Sequence, residues 1–225
     1  MTDYPKSEFP DLRLHNQDRT NVIIVGDHGF VQVHTSLNLS SLFDEVSSSK
    51  VPVRALIGGG SAGLYPADGA TPEEVAAYLA KLNKLIARRY LGLLRFMSAE
   101  ENEEAGGFAG AVAALTVPKP GYMLTSRPGA PFLIKLKGTE GMHGYAPDMP
   151  GIETGFIAAG PAFRSGYRMP VMRMLDVAPT IALADGVPLP SAEGVAVPGI
   201  LSANDNNGGS LVDFLMGAGN RDRRP

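Results

Sequence analysis

Residues 20–30, TNVIIVGDHGF, set a carboxylate beside an imidazole, Asp27 and His28, between Gly26 and Gly29. Those two side chains are donors for a divalent metal ion, and flanking glycines let the backbone come close to whatever they hold. The chain has no cysteine and only four histidines, so any metal must be bound by His, Asp or Glu. Residues 21–25 just before the pair are almost unbroken apolar sequence and are expected to form a strand buried on both faces. In open α/β sheets ligands gather beyond the carboxyl ends of strands, where this pair falls. A plainer reading stands beside it. An Asp after a strand often caps a helix or makes an Asx turn, and a lone His is more often structural than a ligand.

The second chemically informative stretch is GTEGMHGYAPDMPGIETGFIAAGPAFRSG, residues 138–166. His143, followed by Gly144 and Tyr145, lies in a segment too rich in Gly and Pro for helix or strand, and loops of this kind carry function. GFIAAG reads as a short strand and GPAFRSG as a tight crossing. MLDVAPTIALADGVPLP reads as a helix with Asp176 as its cap, Pro179 in the first turn, Gly186 as its stop and Pro188 beyond. Capping accounts for Asp176 better than a role as a third acidic ligand. His34 is close to His28 in sequence but is expected as a loop residue.

The elements that must position these residues follow from composition and periodicity. With 225 residues and 44% hydrophobic content, the chain can bury the core of one large domain, or of a domain with an insertion. A net charge of -3 with no clustered basic surface points away from nucleic acid. No apolar run approaches the roughly 18 residues of a membrane span. The opening MTDYPKSEFPDLRLH lacks the pattern of a signal peptide, so it offers no address. Residues 1–19 read as a loose lead with a short helix over 11–17. LSSLFDEV reads as a short helix capped by Asn38 or Ser40, and residues 51–57 as a strand. Gly58, Gly59 and Gly60 then invite a phosphate-cradle reading, weakened by the lack of GxGxxG spacing or a Lys-Ser/Thr ending. TPEE from Thr71 opens the clearest helix, with Glu74 completing a capping box and Val75, Tyr78, Leu79 and Leu82 on one packing face. Residues 98–110, acidic and then glycine-rich, read as a solvated connection. AVAALTV and residues 121–125 read as strands separated by Pro118 and Pro120, and residues 203–225 as a flexible tail.

NVIIVGDHGF resembles the NVIIVSDHGM segment of type I phosphodiesterases and nucleotide pyrophosphatases, in the alkaline phosphatase superfamily. GMHGYAPDMPGIETGFIAAGPAFRSGYRMPVMRMLDVAPTIALADGVPLP resembles the same family's segment that begins HGY, passes through a GPAF crossing and ends in a DVAPT helix. The two occur in the right order and separation, so the similarity covers roughly residues 20–202. It implies an α/β fold: a portion of an alkaline-phosphatase-like mixed sheet flanked by helices, with a helical insertion at about 71–110 and the N-terminal half of the usual fold absent. It also implies two divalent ions, usually zinc, about 4 Å apart, clamping the attacking and leaving oxygens of an in-line displacement. Asp27 and His28 match the pair that binds one ion, and His143 matches the histidine that binds the other.

The family's remaining ligands, an Asp and a D-x-x-x-H pair, and its nucleophilic Thr or Ser all lie upstream of the DHG segment. Asp11 and His15 have the D-x-x-x-H spacing. The intervening strand of five residues spans about 16 Å, however, which puts His15 near its wrong end, and Leu14 replaces the family's Gly. The match is therefore read as coincidence and no catalytic residue is assigned. The expectation is a C-terminal portion of a metal-dependent phosphodiesterase or pyrophosphatase for phosphodiester or nucleotide substrates, with little or no activity alone. Its partner would be a complementing N-terminal chain or a second copy. The alternatives are a noncatalytic binding or interaction module, and another superfamily member, a phosphomonoesterase or sulfatase. Complete relatives are often exported; this chain's compartment stays open.

Overall fold

Apolar runs become strands and capped amphipathic runs become helices along most of the chain. The computed structural model describes residues 20–169 and 171–202. In chain order it contains β1 (Val22–Val25), β2 (Val31–Asn38), α1 (Leu39–Val46), β3 (Val53–Ile57), β4 (Ser61–Pro66) and α2 (Pro72–Leu85). There follow β5 (Arg95–Ser98), α3 (Ala99–Glu104), β6 (Ala113–Thr116), β7 (Gly121–Thr125), β8 (Leu133–Met142), β9 (Phe156–Ala159) and α4 (Met174–Ala184). The architecture is α/β, as expected, and the chain divides into two compact units, His28–Thr154 and the remainder on either side of it. The short helix expected over 11–17, the Asp11/His15 pair and the tail from 203 lie outside the described residues.

Unit His28–Thr154 holds a continuous core. Its three-stranded sheet, ordered β7-β2-β8, is mixed: β2 runs parallel to β7 and antiparallel to β8. The second sheet is antiparallel, ordered β3-β4-β6-β5. β2 opens with the alternation seen in its sequence, Val31 and Val33 inward and Gln32 and His34 outward, and is buried without interruption from Thr35 to Asn38. The register slips between Val33 and Thr35 against both neighbours, so His34 occupies a bulge inside a strand rather than a loop. Asn38 then caps α1 as expected, accepting from Ser40 N, and its buried amide also donates to the carbonyls of Arg127 and Ala130.

Thr71 and Glu74 form the expected capping box at the start of α2. Val75, Tyr78 and Leu82, spaced by three and four residues, are buried on its inner face. Burial of each such side chain contributes about 1.5–3 kcal/mol. The Tyr78 hydroxyl donates to Phe43 O at 3.2 Å and so ties α2 to α1. The connection expected over 98–110 is largely exposed, as expected, but its first half is a capped helix rather than irregular chain. Ser98 and Glu101 make a full capping box for α3, and buried Asn102 closes the following turn by bonding both N and O of Phe108. The capping hydrogen bonds and that closed turn order a run whose charge density reads as solvent-exposed chain.

The other unit contains β1, β9 and α4. β1 pairs antiparallel with β9, Val22 opposite Ala159 and Val25 opposite Phe156, and Gly26 N extends the ladder to Gly155 O at 3.0 Å. β1 is not buried on both faces: Ile24 is 61% and Val25 42% exposed, and β9 is its sole partner strand among the described residues. The GPAF crossing is tight, with Phe163 N bonded to Gly160 O and Asn21 Oδ1 accepting from Ala162 N. Gly160 has φ +128 and its missing side chain would collide with the backbone at Thr20 and Asn21.

α4 starts earlier than expected. Its N-cap is Arg173, so Asp176 lies within the first turn and Pro179 inside the helix. Asp176 is drawn away from capping by two stronger partners: Arg173 grips its carboxylate through Nε and Nη2, and Val195 N donates to Oδ1 at 2.9 Å. Gly186, with φ +67, ends the helix as expected.

The Arg173 guanidinium, followed by the Val195 N–H, lowers the Asp176 carboxyl from its ordinary 3.8 to about 2. A carboxylate depressed on folding contributes stability above its unfolded pKa and loses it as pH falls through the folded value. Thermal melts of the wild type and Asp176→Asn should therefore differ most above about pH 4 and converge as pH falls toward about 2. A gap that stays constant down to pH 2 would contradict this pairing.

Candidate functional site

The β2–β8 ladder begins with Val31 opposite Met142, so the residues just outside it, Phe30 and His143, emerge at the same end of the sheet. His28, two residues before Phe30, is brought against them. The His28 and His143 rings stack with centroids 4.1 Å apart and planes inclined by only 16°. Phe30 packs edge-on against both, at 5.2 Å from His28 and 6.0 Å from His143. Two sequence-distant imidazoles expected to serve one site are thus in contact. Asp27, the residue before His28, closes the other unit and its side chain is solvent-exposed.

The backbone that carries each imidazole is held by hydrogen bonds. Gly29 N donates to Ile152 O at 2.8 Å, and a side chain at Gly29 would run into the carbonyls of Glu153 and Gly151. That contact gives a physical reason for the glycine after His28. His28 Nδ1 lies 3.0 Å from Gly29 O. A carbonyl only accepts, so Nδ1 carries the proton and the in-plane lone pair belongs to Nε2. A backbone hydrogen bond of this kind fixes the tautomer of a histidine ring.

His143 is presented by a short connection after β8, as expected, and Tyr145 two residues on is buried with its hydroxyl on Tyr122 O at 2.7 Å. Burial pushes the Tyr145 phenol up to about 12, so it stays a donor throughout the range in which the protein is handled. The neighbouring hydroxyl of Ser61 donates to Gly144 O at 2.6 Å. Phe30, Tyr145 and Ser61 were not singled out in the sequence as part of this neighbourhood. Only Tyr145 had a local signal, its place in HGY.

The donors can be tested against a metal ion by their geometry. A ring nitrogen offers its lone pair in the plane of the ring, so near-parallel rings do not converge on one point. The stacked pair suits two neighbouring ions, one per ring, rather than a single shared one. Zinc in a stable site takes at least three protein ligands. Among the described residues, no three His, Cys, Asp or Glu side chains gather where they could hold one ion. The described donors therefore do not fix an ion by themselves. His34, the remaining histidine in the described region, bonds Thr35 Oγ1 at 2.8 Å and packs on Tyr122. Asp176 is committed to Arg173 and Val195.

Comparison with known proteins bears on the same stretches. Residues 11–146 match the family described as type I phosphodiesterase / nucleotide pyrophosphatase. No curated protein matches the sequence. Among solved structures, human ectonucleotide pyrophosphatase/phosphodiesterase 5 is similar with a TM-score of 0.64 at 18% identity, over 83% of this chain and 46% of that one. The murine protein of the same name gives 0.58 at 20% identity, over 82% of this chain and 46% of that one. An inactive variant of the murine protein in complex with AMP gives 0.59 at 22% identity, over 81% and 45%. These likenesses show a shared fold, and the chain spans slightly less than half the length of each of these proteins.

The hydrogen bond to Gly29 O carries an expected spectroscopic outcome. Long-range 15N–1H correlation spectra at a pH where the ring is neutral should show His28 as the Nδ1–H tautomer, opposite to the form that predominates in free histidine. An Nε2–H pattern for His28 would contradict the proposed tautomer.

Proposed function

Because the chain belongs to the type I phosphodiesterase / nucleotide pyrophosphatase family, we propose that it serves metal-dependent hydrolysis of phosphodiester or pyrophosphate bonds, with nucleotides as the substrate class. The observation that carries this reading is the stacked pair, His28 and His143. The two histidines sit in the DHG and HGY segments, which the family resemblance assigns to different ions, and their rings lie 4.1 Å apart. Facing ions in two-metal hydrolases are about 3.5–4 Å apart, so one ring per ion is consistent with that spacing. The murine relative solved with AMP supports nucleotides as the substrate class.

In this reading Asp27 and His28 contribute to one ion and His143 to the other, with zinc the favoured metal. Two such ions would supply Lewis-acid stabilisation of charge on the phosphoryl oxygens. The chain's own contribution is orientation. His28 is held in one tautomer by Gly29 O, and the main chain at His143 is held by the bonds from Gly60 N to His143 O and from Ser61 Oγ to Gly144 O. The further donors and the nucleophile come from outside the described residues. The nearby Ser61 hydroxyl is not proposed as nucleophile, since it donates to Gly144 O.

Zinc titration of the full chain, followed by calorimetry and by the ring signals of both histidines, tests the reading. The expected result is weak binding that perturbs His28 and His143 together and disappears in the His28→Ala/His143→Ala double variant, with turnover of a chromogenic phosphodiester at background. Zinc that leaves both rings unmoved would defeat the metal assignment. Zinc-dependent turnover abolished by His143→Ala would defeat the expectation that the chain alone has little or no activity.

A further inference from the structure

The run Gly58, Gly59, Gly60 and Ser61 follows β3 and has the composition of a phosphate-binding turn, yet two of its backbone donors are already used. Gly58 N donates to Ser61 O at 2.8 Å and Gly60 N to His143 O at 3.1 Å. The second of these bonds reveals what the turn receives. We propose that the Gly58–Gly60 turn, with Ser61 and Tyr145, is a moulded seat that sets the position of His143 against His28. Ser61 and Tyr145 are thus positioning residues for the site. The functional consequence rests on the reading of His143 as a metal ligand; the geometry of the seat does not.

Three features fit the two segments to each other. Gly59, at φ +110, lies under the His143 carbonyl, and a side chain there would overlap it. Gly144, at φ +74, meets the Gly58 carbonyl just as closely from the other side. Gly60 faces the Tyr145 ring, which occupies the space where a Cβ would stand. Approach this close, by backbone at Gly59 and Gly144 and by the ring at Gly60, requires glycine, and at Gly59 and Gly144 the conformation requires it as well. The hydroxyls then lock the fit: Ser61 Oγ to Gly144 O at 2.6 Å, and Tyr145 OH to Tyr122 O at 2.7 Å.

The seat itself is rigid. Gly60 O accepts from Val117 N at 2.9 Å and Gly59 O from Leu124 N at 2.7 Å, so the turn is tied to the chain leaving β6 and to β7. A continuous set of backbone bonds therefore runs from the sheets through the glycine turn to the carbonyl of His143. A purely structural Tyr145 would affect stability alone. A positioning Tyr145 moves the ring that it supports.

The test uses the full chain with Ser61→Ala, Tyr145→Phe and the double variant. Two readouts are taken: NOE contacts between the His28 and His143 rings without metal, and zinc affinity by calorimetry. Circular dichroism confirms that each variant folds. The expected result is loss of the inter-ring NOE in the double variant, and about tenfold weaker zinc binding, the order of effect for residues behind a ligand. Ser61→Ala, the smallest change, should show the same direction with native thermal stability. Unchanged NOEs in folded variants would overturn the seat. If zinc fails to bind the wild type while the NOE still depends on Ser61 and Tyr145, the seat stands and the metal reading falls. Should the double variant fail to fold, the NOE in Ser61→Ala decides, and a wild-type value there overturns the proposal.

Discussion

The pairing of Val31 with Met142 at the edge of the β2–β8 ladder is the constraint on which the site depends. Strand register is quantised: a shift by one residue would turn every side chain to the opposite face. Here the register is held by Val31, Val33 and Leu37, which are buried, and by β7 on the far side of β2. With that pairing in place, Phe30 and His143 leave the sheet together, and His28, two residues before Phe30, packs onto them. The ring stack is therefore a consequence of core packing some distance away, and the imidazoles need little attraction for each other to stay together.

Rigid backing at both imidazoles has a common logic. At His28 the support is a carbonyl one residue on, with the Gly151–Glu153 backbone pressed against Gly29. At His143 it is the glycine turn, Ser61 and Tyr145. In both places glycine lets main chain meet main chain directly, so the backbone that carries each ring is held by short bonds. Orientation of this kind is what a chain contributes when metal ions supply the charge.

Much of this was legible in the sequence, and the failures share a cause. The capping box at Thr71 and Glu74 could be read because local hydrogen-bonding chemistry sets it; the same Ser-x-x-Glu signature at Ser98 and Glu101 was obscured by the acidic run that contains it. β8 was missed because LIKLKGTEGM mixes charge and glycine, and its strand character comes from pairing with β2. The apolar run of β1 signalled a strand correctly but not its covering, since hydrophobicity records what a surface prefers and not what lies on it. Asp176 looked like a cap from spacing alone, whereas Arg173 and Val195 claim it through contacts that spacing does not encode. Residue type and position single out Asp27, His28 and His143, and resemblance to a family assigns them to ions; the glycine run becomes intelligible only from the carbonyl of His143 that rests on it.

In the proposed function His28 and His143 face two neighbouring ions, one each. Anomalous diffraction at the zinc edge from crystals of the full chain equilibrated with zinc tests it most directly. Two peaks are expected, each in the plane of one imidazole at about 2.0–2.1 Å from a ring nitrogen and about 4 Å from the other. A single peak shared by both rings, or zinc bound elsewhere with both rings bare, would contradict it.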